Sequence, residues 1–117
     1  MVAPDPSKAW AWYEKGMNAG EPNAVARFAE RDEANAAMES DRSKRDGLLL
    51  RAFGFYAAAA ERAYEEDWPD VAWQDWRHRR ASLARLLAER GMMQQVADAY
   101  GSVLNQRPLG KPLWSKL

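Results

Sequence analysis

The chain has no cysteine, no isoleucine and no threonine, a single histidine, and only five valines in 117 residues. Without cysteine there is no disulfide, no thiolate-bound zinc, no iron–sulfur cluster and no thiol nucleophile. With almost no β-branched residues there is little from which to build a sheet. No apolar run approaches the ~20 residues of a membrane helix, and the first residues lack the basic-then-apolar pattern of a signal sequence. The expectation is a soluble, cytoplasmic chain forming one helical domain over 1–117, without membrane contact. Gly-rich phosphate loops, a dinucleotide fingerprint and a Gly-x-Ser-x-Gly elbow are also missing.

What is present is a helical vocabulary of Ala, Leu, Arg, Glu and Met, with 47% apolar and 29% charged residues. Arg outnumbers Lys twelve to five, and there are six Trp. The Ala and Arg bias fits a GC-rich bacterial or phage genome.

Breakers divide the chain. Asp5 and Pro6 read as a cap and a first helical position, and Gly20 as the stop; Trp10, Tyr13 and Met17 share a face. Pro22 opens a second helix with a short stripe of Val25, Phe28 and Ala29, followed by a charged, solvent-facing remainder through Met38. Residues 39–46 carry no apolar anchor and read as a mobile connection or a continuing helix, with Ser40 or Asp46 as an N-cap. Over 47–66, Leu49, Phe53, Tyr56, Ala60 and Tyr64 form one stripe and Leu48, Ala52, Phe55 and Ala59 a second. So wide an apolar arc belongs to a central helix. Gly54 and the alanine run 57–60 suggest a close helix crossing there. Asp67, Trp68 and Pro69 mark a stop and restart, with Asp67 as a cap for the next helix.

A helix over 69–90 follows, with Ala72, Trp76, Leu83 and Leu87 inward and Gly91 closing it. The last helix, over 92–106, is expected to bury Met93, Val96, Ala97, Tyr100, Val103 and Leu104. The tail 108–117 reads as extended, and Leu113, Trp114 and Leu117 as a docking element, on the body or on a partner. The predicted fold is all-α: an irregular bundle of four to five helices, with a C-terminal antiparallel helical hairpin and an extended tail.

Residues 77–108 resemble one tetratricopeptide unit, carried by Leu83, Ala84, Leu87, Gly91, Tyr100 and Pro108. Arg80 and Val96 depart from that pattern and no repeat precedes it, so the resemblance implies a helical hairpin and nothing more. The same stretch is similar to the opening of a helix-turn-helix, but a recognition helix would have to fit into 102–107 before Pro108.

Charge is balanced overall and uneven along the chain. Residues 1–46 carry a net −2 and residues 47–76 a net −4, whereas 77–117 hold eight basic and two acidic side chains, a net +6. Arg77, His78 and Arg85 project opposite the Trp76/Leu83/Leu87 stripe, and Arg79 and Arg80 flank it. This set reads either as a partner-binding surface or as helix-stabilising and solvated charge, since Asp75 precedes Arg79 by four residues and the arginines lie toward the negative helix end. Glu61, Glu65 and Glu66 read as a solvated face or as partners for those arginines, within the fold or across a self-association interface. Asp75 and His78 have the i, i+3 spacing of a helical di-iron half-site, but that centre needs a second His. No metal, cofactor or catalytic residue is therefore expected. Trp10 and Trp76 read as core; Trp12, Trp68 and Trp114 read as interface residues.

The functional expectation is a non-enzymatic adaptor or inhibitor that docks a protein partner, with an acidic one as the natural complement. Its contact residues would be Arg77, His78, Arg85, Trp12, Trp68 and Trp114. The alternative is nucleic-acid binding by the positive stretch 77–90.

Overall fold

A computed structural model describes residues 6–105 and shows five helices and no strand among them. They are α1 (Pro6–Asn18), α2 (Pro22–Met38), α3 (Arg42–Glu65), α4 (Asp70–Glu89) and α5 (Met93–Asn105). The tail, with Trp114, lies outside the described residues.

Helix α3 is the centre: α2, α4 and α5 all pack on it, while α1 is carried on α2. Its composition explains this. Ala57, Ala58, Ala59 and Ala60 are all buried, so four successive directions around the helix are covered by protein. Only neighbours approaching from more than one side achieve that. Tyr56, Leu87 and Val25, from three different helices, are the largest apolar side chains wholly sealed in the core.

Three of the four turns are built alike. Glu21 N–H reaches back to Gly16 O and Gly20 N–H to Met17 O; Met92 and Gly91 do the same to Leu87 and Ala88. These are Schellman closures, with Gly20 (φ 87°) and Gly91 (φ 78°) in the left-handed conformation. The third closure, after α3, uses Trp68 N–H to Ala63 O and Asp67 N–H to Tyr64 O, and places Asp67 at φ 57°. Asp67 is thus the left-handed residue that ends α3, not the cap of the following helix; Pro69 holds the N-cap position of α4.

Three other local expectations are corrected. Helix α3 starts at Arg42, so only Glu39, Ser40 and Asp41 separate it from α2. Its N-cap is Asp41, which accepts from Lys44 N–H at 3.0 Å, while Asp46 accepts from Arg90 at 2.6 Å and ties the start of α3 to the end of α4. A Cβ added at Gly54 would meet nothing within 4 Å, so no helix crosses closely there. The close approach is between α1 and α2, where a Cβ at Gly16 would stand 2.8 Å from that of Ala24. In α5, Met93 and Ala97 are exposed. The helix packs on α3 and α4 along a narrow stripe of Val96, Tyr100 and Val103, and Met92 takes the half-buried place expected of Met93.

The charged remainder of α2 is not all solvent-facing. Asp32 is fully buried, and both its oxygens accept from Arg51 of α3, from Nε and Nη2, at 2.7 Å each. Asp32 continues the row Val25–Phe28–Ala29 toward Ala36, which is also buried. Burial of a carboxylate in that row is tolerable because the guanidinium fork satisfies it bidentately.

Candidate functional site

The four arginines and the histidine at 77–85 on α4 are divided by the helix geometry. Arg79 and Arg80 turn toward α3 and are paired within the molecule, Arg80 half-buried and Arg79 still 43% exposed. Arg79 donates to Asp75 at 2.9 Å and to the Tyr56 hydroxyl at 3.1 Å, and lies 3.6 Å from Glu33 of α2. Burial, and then the neighbouring Glu33 carboxylate, push the Tyr56 phenol above its ordinary range. Arg79 is raised in turn, chiefly by its hydrogen bond to Tyr56, so it stays charged. Arg80 pairs with Glu61 at 3.4 Å and covers the Tyr100 ring, while Tyr100 donates to the same Glu61 oxygen at 2.8 Å. The acidic end of α3 therefore meets α4 arginine within the fold through Glu61.

Arg77, His78 and Arg85 are on the outside of α4, all exposed. Arg77 lies over the Trp73 ring, 5.1 Å from its centre. Neither His78 nor Arg85 has an ion-pair partner among the described residues. Asp75, three residues before His78, is held by Arg79.

Beside this row lies a cleft of about 340 Å³ between α3, α4 and α5. Its walls include Tyr64, Trp73, Tyr100 and Leu104, with Arg77, Arg80 and Glu61 at its polar edge. Tyr64, expected inward from its spacing, is instead 63% exposed and stands edge-on to Trp73 at 6.0 Å. A second hollow, of about 380 Å³, is bounded by Gln74, Arg77, His78, Arg80 and Ala81. Arg77 borders both.

The tryptophans do not gather at this face. Trp76 is buried as expected, and so is Trp73. Trp10 is half-buried against Tyr13 and Phe28. Trp68 is half-buried too: its N–H donates to Glu66, its ring leans on Trp76, and its carbonyl accepts from Trp73. Trp12 is 73% exposed, but on α1, with Lys15 over its ring, and so belongs to a different side of the bundle.

The chain matches no known protein family, no curated protein and no solved structure. The site rests on its own geometry.

Cationic donors next to a shallow aromatic cleft suit recognition of carboxylates flanking an apolar side chain. The sequence indicated Arg77, His78 and Arg85 through helical spacing. It did not indicate Tyr64 and Trp73 as cleft walls, because that role depends on where α5 leaves the end of α3 uncovered. Helix α5 runs unbroken through Gly101, so the turn that a helix-turn-helix would need there is absent.

Proposed function

We propose that this protein is a non-enzymatic docking module, an adaptor or inhibitor, that engages an acidic protein segment through the outer face of α4. The observation that carries the reading is the division of the α4 cations. Arg79 and Arg80 are paired within the molecule, whereas Arg77, His78 and Arg85 are left outward, with Arg77 at the edge of a cleft with aromatic walls. An exposed guanidinium is solvated at little cost, so the charges alone would say nothing; the position of Arg77 on the cleft is what supports a partner. In this reading α4 and α5 act as an antiparallel hairpin presenting the face, and Trp12 and Trp68 lie peripheral to it.

The test is parallel affinity capture from the source cell with the native chain and with an Arg77→Glu/Arg85→Glu variant of equal helicity, read by mass spectrometry. A protein retained by the native chain, lost with the variant and weakened by salt supports the reading. Equal retention by both chains, or no retained protein, refutes it. Retention of nucleic acid with a steep salt dependence would replace it by the phosphate-binding alternative. That alternative has few free cations to work with, since Arg79, Arg80 and Arg90 are already paired.

A further inference from the structure

On the other flank of α5, away from the α4 cleft, lies an apolar groove of about 380 Å³. Gly47, Leu50, Gly54 and Phe55 of α3 form one wall, and Ala99, Ser102 and Val103 of α5 the other. Its only charged side chain among the described residues is Arg51, whose guanidinium is held by Asp32. Each glycine inside a helix costs roughly 1 kcal/mol relative to alanine. Gly47 and Gly54 are interior to α3, yet a Cβ at either would meet nothing within 4 Å among the described residues. The room they leave serves no helix contact.

We propose that the occupant is this chain's own segment 109–117, folded back beside α5 with Leu113 and Trp114 on the floor made by Gly47 and Gly54. Three observations select it over other occupants. The first is position: α5 is described to Asn105, two residues past the groove residue Val103, so the following segment starts at the groove's edge. The second is length and composition. The α3 wall from Gly47 to Phe55 is about 12 Å long at 1.5 Å per residue, and about four extended residues cover that distance. Residues 108–117 contain Pro108, Gly110 and Pro112, which oppose a helix, and Leu109, Leu113, Trp114 and Leu117, which match an apolar groove. The third is charge. Residues 106–117 carry Arg107, Lys111 and Lys116 and no acid. Arg77 at the α4 cleft has no carboxylate partner among the described residues and repels such a segment, whereas Arg51 in the groove is paired with Asp32.

The absence of native cysteine makes the test direct. In the full-length chain at low concentration, Ser115→Cys is paired with Ser102→Cys in the groove or with Ala81→Cys on α4. Oxidation is expected to close the groove pair within one chain at least about tenfold faster than the α4 pair, reflecting the higher effective concentration of a seated segment. Gly54→Leu, which fills open space, is expected to abolish that difference while helicity is retained. If Gly54→Leu loses helicity, Ala99→Leu on the opposite wall replaces it. Equal closure rates for the two pairs, or a rate difference that survives a filled groove, overturns the proposal. Disulfide-linked dimers in place of closed monomers also overturn it, because the segment in the groove then comes from a second copy.

Discussion

Removing the Arg51 side chain tests the energetics of the α2–α3 layer most sharply. Asp32 is wholly buried and takes both of its hydrogen bonds at 2.7 Å from one guanidinium, while the Arg51 side chain is itself 56% exposed. Arg51→Ala leaves the carboxylate in an alanine-lined row without a donor, and orphaning one member of a buried pair costs about 3–5 kcal/mol. The open side of Arg51 admits water once the side chain is gone, so the lower end, about 3 kcal/mol, is the expected loss. Arg51→Lys keeps the charge and loses the fork, for an expected loss of about 1–2 kcal/mol. The double change Asp32→Leu/Arg51→Leu removes both charges and is expected to lie within about 1 kcal/mol of the native chain. Urea unfolding followed by circular dichroism measures all four proteins. With a slope of roughly 1–3 kcal/mol per molar urea, Arg51→Ala moves the midpoint by about 1 M or more. A loss below about 1 kcal/mol for Arg51→Ala, or a double variant no better than the single one, would refute the reasoning that Asp32 depends on this partner.

Other outcomes follow from backbone and burial. Asp67→Gly relieves a left-handed non-glycine residue and is expected to add up to about 1 kcal/mol, raising the thermal midpoint by a few degrees in calorimetry. Gly16→Ala drives a methyl to 2.8 Å from the Ala24 Cβ. It is expected to cost about 1–2 kcal/mol despite the better helix propensity of alanine. Gly101→Ala, where a Cβ meets nothing, should gain up to about 1 kcal/mol in the same urea assay. Burial raises the Tyr56 phenol above its ordinary value near 10, so the folded chain keeps a proton that the unfolded chain releases. Stability is therefore complete below about pH 10 and falls above it by about 1.4 kcal/mol per pH unit, and Tyr56→Phe should flatten that slope in alkaline denaturation.

Much of the fold could be read from residue spacing. Pro22, Gly20, Gly91 and the Asp67–Trp68–Pro69 break mark helix ends because the backbone conformations at those ends are local properties of the residues that adopt them. The doubled stripe of 47–66 identified the central helix for a similar reason: few other arrangements bury an arc that wide. The failures are long-range. Asp32 stood on the Val25–Phe28–Ala36 row and could have been noticed there, but only the position of Arg51 on another helix makes its burial possible. Gly54 invited the inference of a close crossing, whereas its missing side chain opens a groove; a glycine reports that space is needed and not what fills it. At the candidate site, helical geometry separated the outward Arg77, His78 and Arg85 from Arg79 and Arg80. The Tyr64–Trp73 wall depended on three helices meeting.

The alanines at 57–60 have an evolutionary consequence. All four are sealed on every side, so each added methyl group must displace a neighbouring helix, at about 1–3 kcal/mol per insertion. A single-base change turns an alanine codon into one for valine, and four adjacent codons share that vulnerability. Purifying selection should hold this tetrapeptide nearly fixed among descendants of the gene, while the exposed residues of α4, which bury no methyl groups, are left freer to diverge.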